Sequence, residues 1–101
     1  MPKIYEYLGF IFFFYSNDHD PFHCHVKRGG KEVKVEFEFE KGELLRVSIR
    51  KSKNSKHTLT PAERDKIRTF VEAYYKDMKK KWDDFRAGRP VKSVKINKEI
   101  K

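Results

Sequence analysis

Three of the chain's four histidines and two carboxylates fall within eight residues, Asp18-His19-Asp20-Pro21-Phe22-His23-Cys24-His25. Histidine titrates nearest neutral pH and is the commonest metal ligand, so such a cluster serves either metal coordination or proton transfer. If Phe22, Cys24 and Val26 turn toward a core, strand alternation puts His23 and His25 on the opposite face. Their Cα atoms are then about 6.6 Å apart, close enough to converge on one ion. His19, Asp18 or Asp20 would complete the site from the preceding loop, which Pro21 stiffens. Two or three imidazoles with a carboxylate suit zinc or another divalent transition metal, and an open coordination position permits hydrolysis. The candidate metal ligands are therefore Asp18, His19, His23 and His25, and the candidate catalytic acid and base, with or without a metal, are His23 and His25. In a purely structural reading, Asn17 and Asp18 cap a turn while the histidines cover an apolar face. Cys24, on the core side, reads as a small inert hydrophobe rather than a nucleophile, because alternation points His23 and His25 away from it.

The elements that must position this cluster are legible around it. From Glu32 to Glu40, Val33, Val35, Phe37 and Phe39 alternate with Lys34, Glu36, Glu38 and Glu40, the period of a half-buried strand. Gly29-Gly30 before it and Lys41-Gly42 after it predict tight hairpin turns to strands at about 22–28 and 43–50. Ile4 to Tyr15 reads as a fourth strand, apolar on both faces, with Gly9 marking a bend or bulge. The basic segment 51–57 has no period and reads as a loop, in which His57 is a surface residue or a phosphate neighbour. Thr60, Pro61 and Glu63 then form a helix start with a capping box. Ile67, Phe70, Val71, Tyr74, Met78, Trp82 and Phe85 recur at three- and four-residue spacing, one apolar face that must be buried on the sheet. Gly88 and Pro90 stop the helix at about Arg86. Tyr74, Tyr75 and Trp82 have rings that could stack bases, but the spacing of Tyr74 and Trp82 is that of core residues. The expected fold is α+β: a four-stranded, mainly antiparallel sheet packed by one long helix, forming a single domain over 1–90, with a short extended basic tail over 91–101.

At 101 residues the chain suffices for one domain, and a hydrophobic content of 38% that includes 15% aromatics predicts a ring-rich core. The single cysteine allows no internal disulfide, no leader pattern opens the chain, and the longest apolar run is too short for a membrane helix, so a soluble cytoplasmic protein is expected. The net charge of +9 is lopsided: residues 1–50 carry eight basic and eight acidic side chains, residues 51–101 sixteen and seven. Such an excess marks a nucleic-acid surface, an acidic partner or a solubilising face. Candidate contacts to RNA or DNA are Lys51, Lys53, Lys56, Lys79, Lys80, Lys81, Arg86 and Arg89. The last two begin a period of three that continues through Lys92, Lys95, Lys98 and Lys101, either an arm that tracks phosphates or a solvated tail with Val91, Val94 and Ile96 partly docked.

The run Tyr15-Ser16-Asn17-Asp18-His19-Asp20-Pro21-Phe22-His23-Cys24-His25-Val26, with Met1-Pro2, Gly9 in an apolar strand, the late Trp82 and Gly88-Arg89-Pro90, resembles the small prokaryotic family catalogued as domain of unknown function 4160. The resemblance rests on an Asp-His, a proline pair and a His-x-His entering a strand. Phe22 stands where the second proline is usual and Cys24 where an aromatic is usual; neither change removes a histidine. No reaction is implied by the resemblance. Members are often encoded beside a second small protein, as in toxin–antitoxin pairs, which implies a small protein partner encoded nearby.

Two functions in different classes are thus expected. The first is a small cytosolic interaction module, one component of a toxin–antitoxin-like pair, that meets nucleic acid or a small protein partner through its basic half. The alternative is a ribonuclease-like hydrolase, metal-dependent or acting by histidine acid/base chemistry, built on His19, His23 and His25. Lys27 is the cation that alternation places on the histidine face; no fuller catalytic set is evident.

Overall fold

The computed structural model of the chain describes residues 2–18, 21–52, 57 and 59–100. Two elements carry the architecture the sequence periods predict. The period-2 run becomes β4 (Lys31–Glu40), paired antiparallel with β3 (His23–Arg28) and β5 (Glu43–Lys51), and the 3.6-period run becomes α1 (Pro61–Arg86). Thr60 caps α1 as expected: Glu63 N–H donates to Thr60 Oγ1 at 3.2 Å, and Thr60 N–H donates to the Glu63 carboxylate at 2.9 Å. Gly88, at φ 77°, closes the other end, where its N–H donates to the Phe85 carbonyl.

The fold is α+β, with six strands among the described residues rather than four. Ile4 to Tyr15 is not one strand. It folds at Leu8-Gly9 into a hairpin of β1 (Lys3–Tyr7) and β2 (Phe10–Phe13). Both turn residues have positive φ, 47° and 87°, the turn whose twist matches paired strands. A leucine at the first position is costly there, and the flanking apolar run hides the break. In the tail Val91 and Ile96 are partly docked on the core, as one of the two expected readings has it, whereas Val94 is exposed. Val94–Ile96 forms β6, which pairs parallel to β1 and makes the sheet order β5-β4-β3-β2-β1-β6. Within it Ile96 is only half-buried, and the Ile100 N–H donates to the Tyr7 hydroxyl at 3.0 Å. Residues 94–96 therefore extend the sheet rather than standing clear of it.

One sheet face is packed by α1. Ile67, Phe70, Val71, Met78 and Trp82 are buried against Tyr7, Phe10, Phe12, Cys24, Val26, Val33 and Val35. Phe70 stacks on Tyr7 and Tyr74, each at 4.6 Å between ring centres. The Tyr5 hydroxyl donates to Asp77 of α1, and burial together with that carboxylate pushes its ionisation well above the ordinary value. Because Cys24 and Val26 point into this core, His25 points to the face away from it, as alternation requires, while the His23 ring, at the start of β3, lies 5.3 Å from the Trp82 ring. No helix among the described residues is long and apolar enough to cross a membrane.

Candidate metal centre

Across the outer face, register sets one row perpendicular to the strands: Phe13 pairs with His25, His25 with Lys34, and Lys34 with Arg50. The loop leaving β2 folds back over this row. Tyr15 N–H donates to Asp18 Oδ2 at 2.8 Å and Asp18 N–H to the Tyr15 carbonyl at 3.0 Å, so a tight turn aims the carboxylate inward. Arg86, at the end of α1, fastens the same turn by donating to the Asp18 carbonyl at 3.1 Å.

Asp18 thereby meets both histidines. Its Oδ1 lies 3.2 Å from His23 Nε2 and its Oδ2 lies 3.3 Å from His25 Nε2. One ligand atom from each of the three residues falls within a 4.8 Å span. The His23 Nδ1–H donates to the Pro21 carbonyl at 2.8 Å, since a carbonyl can only accept. That fixes the ring and aims Nε2 at the cluster, the outer-shell arrangement that metal-binding histidines use.

His25 is buried with its polar needs only weakly met. It is 7% exposed, and neither ring nitrogen has a well-aligned hydrogen-bond partner among the described residues. Asp18 Oδ2 lies 3.3 Å from Nε2, a long and weak contact, and a Glu32 oxygen lies 3.8 Å from Nδ1, beyond hydrogen-bond distance. The ring is wedged edge-on to Tyr15 at 4.5 Å and stacked near Phe13 at 5.6 Å. Burial lowers its pKa below the ordinary 6.5; Asp18 and Glu32 pull upward, while His23 adds to the fall. A neutral imidazole with an uncommitted lone pair is the form that binds a metal. Glu32 is itself held by the Tyr15 hydroxyl, at 2.8 and 2.9 Å from its two oxygens, and by Ser52 Oγ at 2.6 Å.

The donor set therefore fits a borderline transition ion: two imidazoles, one carboxylate and a fixed outer shell. His19, the third expected imidazole, lies outside the described residues, as does Asp20. Cys24 is fully buried on the core side and burial raises its thiol pKa far above the ordinary value, in keeping with an inert hydrophobe.

A groove of about 690 Å³ opens beside the cluster, lined by Tyr15, Asn17, Asp18, His25, Lys34, Glu36, Arg50, Lys51 and Ser52. Its cations Lys34 and Arg50 were not among the residues expected at a site. Lys34 was recoverable from the Gly29-Gly30 turn, which pairs it with His25. Lys27 does share the histidine face, but its amine sits 5.4 Å over the Phe13 ring.

Several of the basic candidates have local partners. Successive residues on a helix point about 100° apart, so Lys79, Lys80 and Lys81 diverge. Lys79 pairs with Asp83 at 2.6 Å; Lys81 lies over the Tyr5 ring and donates to the Lys92 carbonyl at 3.0 Å; Lys80 is exposed. Arg86 is fastened to Asp18, and Arg89 pairs with Asp84 at 2.8 Å. Lys51 is exposed and lines the groove, His57 is exposed, and Lys53 and Lys56 lie outside the described residues.

A family model described as Domain of unknown function (DUF4160) matches residues 9–83, a span that contains β2 to β5, the Asp18, His23 and His25 cluster and most of α1. The chain belongs to that family. Comparison with curated proteins and with solved structures finds no match. The family's span begins within the β1–β2 turn and ends before β6, so it takes in the whole candidate centre while leaving both partners of the parallel pairing outside it.

Proposed function

We propose that the protein is a divalent-metal-binding module that holds zinc, or a transition ion of similar preference, through Asp18, His23 and His25. The observation that carries this reading is the convergence of the three side chains: one ligand atom from each lies within 4.8 Å of the others, around a buried His25 whose ring nitrogens have no well-aligned hydrogen-bond partner among the described residues. The approach of Asp18 to both rings, and the Pro21 carbonyl that orients His23, supply the rest of a three-ligand set. An ion held by these three ligands alone would keep coordination positions open, and such an ion would lower the pKa of bound water and polarise ester oxygens. Open positions of this kind would favour a hydrolase over a purely structural metal site. Calorimetry with zinc on the wild type and on the His23→Ala, His25→Ala double variant tests the reading. One site on the wild type that is lost in the variant is expected; equal binding by both removes the cluster as the site.

A second reading, a small interaction module resembling one half of a toxin–antitoxin pair, is favoured by the sheet edges. Strands β5 and β6 end the sheet, and the outer edge of β5 carries Leu45 at 59% exposure. An open edge of this kind accepts an added strand from a partner. Co-purification with the product of the neighbouring gene tests it; recovery of the chain alone counts against a stable pair.

A further inference from the structure

We infer that the groove beside the metal ligands binds the phosphate group of a phosphate ester, with Lys34 and Arg50 as its recognition residues. This inference deepens the metal-binding reading and rests on it for the second half of the ligand's contacts.

Lys34 and Arg50 stand directly opposite each other on the outer face of β4 and β5. Like charges in that position destabilise a strand pair, and a bound anion relieves the repulsion. Glu36 tempers it, with Oε1 at 2.9 Å from Arg50 Nε and Oε2 at 3.9 Å from Lys34 Nζ. The balance still favours an anion. Three cations, Lys34, Arg50 and Lys51, line the groove against two carboxylates, Asp18 and Glu36. A divalent ion on Asp18 would raise the excess of positive charge further.

Geometry points to phosphate in particular. Adjacent strands are spaced about 4.8 Å apart, so the row from His25 through Lys34 to Arg50 places cations at one and two strand spacings from the metal ligands. A tetrahedral phosphate bridging that interval offers one oxygen to the ion and others to the ammonium and guanidinium. Arg50 is 72% exposed and Lys34 40% exposed along their side chains, so both charges are accessible from solvent. Guanidinium forks match two phosphate oxygens at once. At about 690 Å³ the groove is large enough for a nucleotide-sized ester.

The test uses the full chain, loaded with zinc and freed of excess metal, and titrates inorganic phosphate, a mononucleotide and a short single-stranded oligonucleotide against chloride at equal ionic strength. Zinc affinity is measured on the same samples. Phosphate and the mononucleotide are expected to bind the wild type. The Lys34→Gln, Arg50→Gln double variant should bind them at least tenfold more weakly while keeping its zinc affinity and its melting temperature within a few degrees. Tighter binding of the oligonucleotide than of the mononucleotide would identify a nucleic-acid backbone as the source of the phosphate; equal binding would identify a small ester. Zinc binding without phosphate binding, or phosphate binding indifferent to the double variant, overturns the inference and leaves the metal site standing. Phosphate binding that depends on Lys34 and Arg50 in a chain that takes no zinc overturns the metal reading and leaves the anion groove.

Discussion

His23 Nδ1 donates to the carbonyl of Pro21, two residues earlier, at 2.8 Å. This contact fixes the tautomer in which Nε2 is free to serve as a ligand beside Asp18. Nitrogen-detected NMR of the neutral protein should show His23 protonated at Nδ1, with the Nε2 signal moving when zinc is added. Asp18→Asn retains the turn but removes a charged ligand, so zinc affinity should fall by one to two orders of magnitude, roughly the range for a disturbed site. Unchanged affinity in Asp18→Asn would exclude Asp18 from the ligand set.

The reciprocal contacts between Thr60 and Glu63 make the start of α1 sensitive to acid. Bonding to the Thr60 backbone holds the Glu63 carboxyl below its ordinary value of 4.5, with Thr60 Oγ1 and Lys31 adding to the effect and partial burial opposing it. A lowered folded pKa means that the ionised form favours the folded state. Its contribution is therefore complete above the ordinary value and is lost as pH falls through the folded one. Urea unfolding of the wild type and of Glu63→Gln should differ most near neutral pH and converge below the carboxylate range. Thr60→Ala should cost about 1 kcal/mol at neutral pH.

Cys24 should be silent to thiol reagents. It is fully buried between Val26 and Phe22 in the core cluster, and burial disfavours the reactive thiolate. Native protein should show no labelling by a disulfide-forming chromogenic reagent on the timescale in which urea-unfolded protein gives one equivalent. Rapid native labelling would mean that β3 opens readily from the sheet.

Removing residues 91–101 should destabilise the domain rather than trim a tail. The deletion takes away the parallel partner of β1, uncovers the outer edge of β1 and frees the Tyr7 hydroxyl from Ile100. A fall in Tm of several degrees is expected, since about 1 kcal/mol moves a domain of this size by roughly 4–8 °C. A melting temperature equal to that of the full chain would show that β6 adds nothing to stability. Lys95→Pro, which removes a strand N–H while keeping chain length, should reproduce part of the loss.

The features legible in the amino-acid order are local. The alternation from Val33 to Phe39, the capping box at Thr60 and the apolar stripe from Ile67 to Phe85 each follow from dihedral preferences and from periods that any short window contains. The two-residue turn at Gly29-Gly30 extends that reach to one pairing, His25 with Lys34, and alternation puts His23 beside His25. The tertiary structure decided what depends on distant segments. Leu8-Gly9 turns because β1 gains partners on both sides, β2 and β6, and the latter arrives from the far end of the chain. Asp18 becomes a ligand candidate because a loop turn and Arg86, sixty-eight residues away, aim it at the histidines. Arg50 reaches the groove through a bulge: Phe39 pairs with Leu44 but Glu38 with Arg46, so Leu45 is the extra residue and register slips by one. Without that slip Ile49 would face Lys34, and Arg50 would turn to the helix side. A single inserted residue reverses every side chain beyond it because a strand repeats every two residues, and nothing in the local sequence fixes where the extra residue is absorbed.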